Sequence, residues 1–251
     1  MFTSTWLINK AFNHNEMQPF IVYGPYGFGK TSYAIKTLAE VYGEYDEKGN
    51  LVKPVYDWDM IKSHLFFHPK DFLDSLTKAM YSNKREKLIV WDDAGYWLFV
   101  LDWYDSFIKS VAKYMNVARA HFASIMFTSP SPTVIIKRIR GLPQLHSIKI
   151  VKTSNDMYPS QRFRRRAIGY RWWMLPDMKK SGVKPIFNDD FSCKLPDDIY
   201  IKYMELRKEY ADYAVIMMKK ELQLLNKSGL ENRDFIIEDD RSERASALAD
   251  A

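Results

Sequence analysis

One eight-residue segment, Gly24-Pro25-Tyr26-Gly27-Phe28-Gly29-Lys30-Thr31, restricts the possible folds of this chain more than any other feature. It satisfies the pattern G-x-x-x-x-G-K-[ST] at every defined position. The preceding run 19–23 has the β-branched and aromatic residues of a buried strand, and residues 31–42 have apolar positions three and four apart. Glycines allow backbone N–H groups to turn toward phosphate oxygens, and the first turn of a helix favours an anion. The sequence therefore predicts a strand, a phosphate-binding loop and a helix in succession.

The polar residues of this loop have distinct predicted roles. We expect Lys30 to contact the β- and γ-phosphates of a nucleotide and the hydroxyl of Thr31 to ligate Mg²⁺. The predicted nucleotide-binding residues are Gly24, Pro25, Tyr26, Gly27, Phe28, Gly29, Lys30, Thr31 and Ser32.

A second apolar run, residues 87–91, ends in two carboxylates, Asp92 and Asp93. A carboxylate at the carboxyl end of a parallel strand faces the crevice in which ligands bind. We therefore expect Asp92 to hold Mg²⁺ through its water shell and Asp93 to polarise the attacking water. Residues 92–95 also fit D-x-x-G, a γ-phosphate motif of GTPases. Because none of the Asn-Lys pairs in the chain continues as the guanine-binding N-K-x-D, adenine is the predicted base.

Residues at the ends of a third apolar run, 122–127, complete the predicted site. Thr128 is the first candidate for contacting the γ-phosphate or placing the water, and Ser129 is the second. An ordinary Ser/Thr-Pro turn is the alternative for both. Phosphoryl transfer also needs a cation against the developing charge, and Arg119 and Arg138 are equal candidates for it. The predicted catalytic residues are Lys30, Asp93, Thr128, Arg119 and Arg138.

Periodic patterns along the chain predict an α/β fold. Helical spacing covers residues 69–80, 104–119, 133–140 and 196–226, and strand patterns at 148–152 and 163–175 indicate a hairpin. Buried strands that alternate with helices through residue 140 predict a mostly parallel sheet with helices on both faces, plus a basic β hairpin and a long C-terminal helix. The expected division is a core with the hairpin at 1–175, a helical appendage at 176–227 and an acidic mobile tail at 228–251.

Positive charge is concentrated in one part of the chain, although the net charge is only +6. Residues 134–171 contain ten Lys or Arg and one acid, with aromatic residues among them. Such a block is typical of a surface that contacts nucleic-acid phosphates. A docking surface for the acidic tail or another subunit, or a solvated strand face, are the alternatives. The predicted DNA-contacting residues are Arg162, Arg164, Arg165, Arg166 and Arg171.

The sequence also excludes several classes of protein. A single cysteine, Cys193, excludes an internal disulfide framework and a cysteine-based zinc site. No apolar run approaches the ~18–20 residues that a membrane span needs, and no secretory signal is visible at the start. We therefore expect a cytoplasmic protein without membrane contact.

Taken together, the motifs resemble those of P-loop ATPases of the additional-strand group. The similarity is to AAA+-like, DnaA-type relatives encoded by crenarchaeal viruses and plasmids, and it rests on GPYGFGKT at 24–31, LIVWDDAG at 88–95 and FASIMFTSPSP at 122–132. This resemblance implies ATP and Mg²⁺ as cofactors, hydrolysis at a subunit interface, assembly into a homo-oligomeric ring or filament, and work on DNA in the host cytoplasm.

Three functions are compatible with these observations. The first is an ATPase that couples hydrolysis to DNA binding or remodelling in replication or genome handling of a virus or plasmid. The second is a P-loop phosphotransferase acting on a small molecule or nucleotide, for which Arg164, Arg165 and Arg166 could form a closing lid. The third is a nucleotide-dependent assembly scaffold with little turnover.

Overall fold

The computed structural model describes residues 1–102, 104–142, 144–153, 162–174 and 181–227. The chain divides into two compact units, Met1–Tyr200 and Ile201–Ala251. The predicted acidic tail, 228–251, lies outside the described residues, and the domain boundary predicted at residue 175 stays a prediction.

The described residues form nine strands, seven of which make one sheet. The strands are β1 (Phe20–Tyr23), β2 (Glu44–Tyr45), β3 (Leu51–Lys53), β4 (Leu65–Phe66), β5 (Ile89–Trp91), β6 (Ile125–Ser129), β7 (His146–Lys152), β8 (Arg164–Met174) and β9 (Ser181–Ser192). The large sheet has the order β4-β5-β6-β1-β7-β8-β9, and β2 pairs separately with β3.

This sheet confirms the predicted mostly parallel architecture. From β4 to β7 all neighbours are parallel, whereas β7–β8 and β8–β9 are antiparallel. The pairing of β7 with β8 is the expected basic hairpin. Strand β9 is not predicted from the sequence, because Pro185 and the polar run 188–190 interrupt its apolar pattern. An edge strand tolerates such residues, and β9 is at the edge.

Seven helices accompany the strands in the described residues. They are α1 (Thr3–Asn13), α2 (Lys30–Val41), α3 (Trp58–His64), α4 (Pro69–Ser82), α5 (Ser106–Tyr114), α6 (Lys137–Arg140) and α7 (Asp197–Lys227). Two of them, α1 and α3, are not predicted from the sequence, and α5 and α6 are shorter than predicted. The helices after the phosphate-binding loop and at the C-terminal end agree with the predicted segments to within one residue.

Carboxylates from distant segments cap the start of α1. The N–H of Phe2 donates to Oε2 of Glu40 at 2.6 Å, and the N–H of Thr3 donates to both carboxylate oxygens of Asp189 at 2.9 and 3.1 Å. Asp189 also accepts a hydrogen bond from the buried hydroxyl of Tyr33 at 2.8 Å. Because these acceptors lie far away in the chain, no local residue pattern marks the start of this helix.

The parallel strands are covered on both faces, as predicted. Ile89 and Trp91 of β5 pack in one cluster with Phe72 of α4 and Val111 of α5. Their neighbour Val90 points to the opposite face of the sheet and is also fully buried. None of the helices in the described part of the chain is long and apolar enough to cross a membrane.

Candidate nucleotide site

Three parallel strands end together at one edge of the sheet. Tyr23 of β1 pairs with Ser129 of β6, and Trp91 of β5 pairs with Phe127 of β6. The loop 24–31, the carboxylates 92–93 and Thr128 therefore meet at the carboxyl edge, where open α/β sheets bind their ligands.

Positive φ angles and close packing require glycine at two positions of the loop. Gly24 and Gly29 have φ angles of +149° and +91°. A Cβ on Gly24 would lie 2.8 Å from the carbonyl oxygen of Ile150, and a Cβ on Gly29 would lie 2.5 Å from Cβ of Cys193. At Gly27, where φ is +74°, a Cβ would meet no atom within 4 Å. Both ends of the loop thus pack closely against neighbouring residues, whereas its middle is open and leaves space for a ligand.

The side chain of Lys30 lies across this loop and is buried. Its Nζ donates to the carbonyl oxygens of Gly24 and Pro25 at 3.0 and 3.1 Å. It also lies 5.4 Å from the ring centroid of Tyr26, which is exposed. The ammonium group of Lys30 is therefore held against the backbone of the loop. In this position it can contact a phosphate group that the loop binds.

Thr31 and Asp92 form the contact between the loop and the second motif. The hydroxyl of Thr31 donates to the two carboxylate oxygens of Asp92 at 2.9 and 3.1 Å, and Asp92 is fully buried. A hydroxyl and a carboxylate side by side supply the hard oxygen ligands that Mg²⁺ prefers, and the ion completes its shell with water and phosphate oxygens. The residues present therefore fit an Mg²⁺ ion.

Thr128 also contacts this pair through its hydroxyl. Its hydroxyl donates to Oδ1 of Asp92 and accepts from the backbone N–H of Asp93 at 2.9 Å. In this structure Thr128 positions the carboxylate of Asp92, and its predicted contact with the γ-phosphate or the water stays a prediction. The second candidate, Ser129, donates to the carbonyl oxygen of Ser131 at 2.8 Å.

Asp93 adopts a left-handed backbone conformation, with φ at +46°. Its carbonyl oxygen accepts from the N–H of Tyr96 at 3.0 Å, so the chain turns sharply after β5. Such a conformation is unfavourable for most residues, is tolerated by Asp and Asn, and is found at functional sites. The turn holds Asp93 at the carboxyl edge, next to Asp92 and Thr128.

Of the two predicted arginines, Arg119 is not part of this assembly, and the catalytic role of Arg138 stays a prediction. Arg119 precedes β6 and lies at the amino edge of the sheet, where it lines a cleft of about 610 Å³ with Met17, Met115 and Gln144. The length of the strands separates it from the loop, so within one chain it does not reach the site. Arg138 is exposed on α6.

Two of the five predicted DNA-contacting arginines have partners within the protein. Arg165 is buried, and its guanidinium donates to the carbonyl oxygens of Arg162 and Arg164 at 2.8 Å each. Arg166 forms two parallel hydrogen bonds with the carboxylate of Asp190, at 2.7 and 2.9 Å. Arg165 is therefore engaged by the backbone and Arg166 by Asp190, and the DNA contact of the five arginines stays a prediction.

The remaining predicted arginines are exposed, but they lie at opposite edges of the sheet. Arg162 and Arg164 lie at the carboxyl edge, where Arg164 pairs with Ser192. Arg171 pairs with His146 at the amino edge. One strand thus presents positive charge at both edges of the sheet.

Two residues beside the loop were not singled out from the sequence. Lys152 at the end of β7 has its Nζ 5.3 Å from the ring centroid of Phe28. Cys193 follows β9 and lies against Gly29, as described above, and its N–H donates to the carbonyl oxygen of Phe163 at 2.8 Å. The basic block includes Lys152, whereas no local pattern indicates that Cys193 is at this edge.

Comparison with known proteins gives one similar sequence. No known protein-family model matches the chain. It is 27% identical over 226 residues to the uncharacterized protein B-251 of Sulfolobus spindle-shape virus 1, a match that covers 89% of this chain and 88% of that protein.

Two solved structures are among those that the chain matches. The N-terminal domain of zonular occludens toxin from Neisseria meningitidis matches 73% of this chain and 97% of its own, at 15% identity and a TM-score of 0.39. The genome packaging NTPase B204 from Sulfolobus turreted icosahedral virus 2, solved in complex with ATP-gammaS, matches 72% and 89%, at 13% identity and a TM-score of 0.28.

Proposed function

We propose that this protein binds a nucleoside triphosphate with Mg²⁺ at the carboxyl edge of its sheet and hydrolyses it, with ATP as the nucleotide. The observation that carries the proposal is the contact of the Thr31 hydroxyl with the buried Asp92 carboxylate, directly beside the open glycine loop. The choice of adenine rests on the sequence, in which the guanine-binding segment is missing.

The proposed roles follow from the positions of the side chains. Lys30 and the backbone N–H groups of the loop hold the phosphates, while Thr31 and Asp92 hold the metal ion. When bound, Mg²⁺ supplies positive charge that offsets charge developing on the phosphate oxygens. Asp93 orients a water molecule at the same edge and accepts its proton, and Thr128 keeps the Asp92 carboxylate in place.

We further propose that hydrolysis is coupled to DNA in the genome handling of a virus or plasmid. Exposed Arg162 and Arg164, with the half-exposed ring of Phe163 between them, support a phosphate-backbone contact near the loop. The similarity to a protein of Sulfolobus spindle-shape virus 1 supports a virus-encoded origin and the host cytoplasm as its location. A homo-oligomer belongs to this proposal, because a catalytic Arg119 would have to come from a neighbouring copy.

Two substitutions test the nucleotide site. Lys30→Ala should abolish binding of ATP or weaken it strongly, because the loop loses its positive charge. Asp93→Asn should retain ATP affinity and lower turnover about 100-fold or more, as expected for loss of a proton acceptor. Asn tolerates the left-handed backbone, so this change isolates the carboxylate.

The measurements are ATP binding by titration and phosphate release with Mg²⁺ or with EDTA. Lys48→Ala, an exposed lysine in the turn between β2 and β3, is the matched control and should behave like the wild type. Unchanged ATP affinity in Lys30→Ala, or normal turnover in Asp93→Asn, would contradict the assignment of the site.

A further inference from the structure

Helix α7 has a row of residues at heptad spacing, all of which are apolar except Lys208. The positions are separated alternately by three and four residues, which keeps them on one side of a helix. We call this row the outer seam; it consists of Ile201, Met204, Lys208, Ala211, Val215, Met218 and Leu222.

The outer seam is exposed to solvent. Its five large apolar side chains are between 39% and 59% exposed. They are aligned along three heptads, and aligned apolar side chains of this kind mark an interaction surface. The spacing indicates what covers it, because a 3-4 repeat fits the matching repeat of another helix.

The residue types in the seam favour a pair of parallel helices. In heptad notation Ile201, Lys208, Val215 and Leu222 occupy a positions, and Met204 begins the d positions. β-branched residues at a favour two strands in parallel coiled coils, and one lysine at an a position specifies the oligomeric state and register.

Charge complementarity supports the same arrangement. In a parallel pair, the g position of one helix faces the next e position of the other. Arg207 is at a g position and Asp212 is at the following e position, so the heptad places one pair of opposite charges on each side of the two-fold axis.

The area that pairing of two seams buries reaches the lower limit for a specific dimer. At roughly 100 Å² for each large apolar side chain, pairing of two seams removes about 1,000 Å² from water in total. This is the lower limit for a specific interface.

We propose that the outer seam of α7 pairs with the outer seam of a second copy of this chain as a parallel, two-stranded coiled coil. The proposal does not depend on the nucleotide site, because every residue in it belongs to α7. It assigns a dimer contact to this helix and makes the second copy its partner.

The first test measures the oligomeric mass of the chain. Every protein in it contains residues 1–251. Light scattering after size exclusion should give a dimer for the wild type, and Val215→Glu with Met218→Glu should weaken dimerisation at least tenfold. Lys202→Glu changes the net charge by the same amount on the polar side of α7 and should remain dimeric. Circular dichroism should show equal helix content in all three proteins. A monomeric wild type at 100 µM, a larger oligomer, or a dimeric double variant would each overturn the proposal.

Cysteine crosslinking tests the orientation in a Cys193→Ser background. Ile201→Cys and Leu222→Cys should each form a disulfide with the same residue of a second copy when oxidised separately, because parallel chains align identical a positions. Glu209→Cys on the polar side of α7 should not crosslink. Disulfides that form only when the Ile201→Cys and Leu222→Cys proteins are mixed would show antiparallel helices and overturn the parallel register.

Discussion

The single proton of the Thr128 hydroxyl decides what this residue can do. The hydroxyl donates a hydrogen bond to the carboxylate of Asp92, and its oxygen accepts a hydrogen bond from the N–H of Asp93. Thr128 thus links the two carboxylate residues that follow β5. A sequence pattern places a polar residue at the end of a strand, but it does not specify which neighbour takes the proton.

Thr128→Val tests this positioning role. Valine keeps the shape of the side chain but leaves the buried carboxylate and N–H without this partner, so we expect a loss of about 1–3 kcal/mol in the free energy of unfolding. Mg²⁺-dependent ATP binding should weaken as well, since Asp92 loses its support. Thr128→Ser retains the hydroxyl and should restore both properties. Urea unfolding and ATP titration with and without Mg²⁺ measure the effects, and equal behaviour of Val and Ser variants would contradict this role.

Strand alternation distributes the arginines of β8. Successive side chains of a strand point to opposite faces, so Arg165 lies on a different face from Arg164 and Arg166. One face is covered, and Arg165 is buried there against backbone carbonyls. Of the consecutive three, only Arg164 remains exposed without a carboxylate across from it in the sheet. The number of positive charges in the sequence of β8 is therefore larger than the number that its surface presents to a ligand.

Substitutions in β8 should separate these roles. Arg162→Gln with Arg164→Gln should weaken DNA binding and reduce the salt dependence of the affinity by about two counterions. Arg166→Gln combined with Asp190→Asn should leave the salt dependence unchanged, because this double change removes an ion pair that has no net charge. The measurement is DNA affinity at several salt concentrations, from which the salt slope of each variant is obtained. An unchanged salt slope in the double variant would mean that these arginines do not contact phosphates.

The two edges of the central sheet carry different chemistry. The carboxyl edge holds the nucleotide site, whereas at the amino edge His146 contacts Gln18 through a ring nitrogen and packs against Phe20 at 5.8 Å between centroids. Burial, and after it the nearby charge of Arg171, lowers the pKa of His146 from its ordinary value to about 4. This histidine is therefore neutral in the folded protein at neutral pH.

The stability of the protein should depend on pH through His146. In the unfolded chain the imidazole takes up a proton below about pH 6.5, whereas in the folded protein it does so only near pH 4. Its contribution is therefore complete above pH 6.5 and is lost as the pH falls toward 4, with about 2 kcal/mol lost by pH 5.

Urea midpoints at pH 7.5 and pH 5.0 measure this loss. His146→Gln should show a smaller difference between the two midpoints than the wild type. His14→Gln, which changes an exposed histidine, should match the wild type. An equal pH dependence in His146→Gln would assign the effect to other groups.

Local residue patterns determined those elements of the protein whose structure depends on residues close together in the sequence. The glycine loop with its strand and helix, the apolar strands and the long helix α7 follow from spacing and residue type, since backbone geometry repeats over a few residues. Tertiary structure alone decided the parts that need distant partners. Asp189 and Glu40 accept hydrogen bonds from the N–H groups at the start of α1, and Cys193 lies against Gly29. Asp92 accepts a hydrogen bond from Thr128, and Arg165 is buried on the covered face of β8. Each of these depends on a contact between segments far apart in the sequence, and such contacts exist only after the chain has folded.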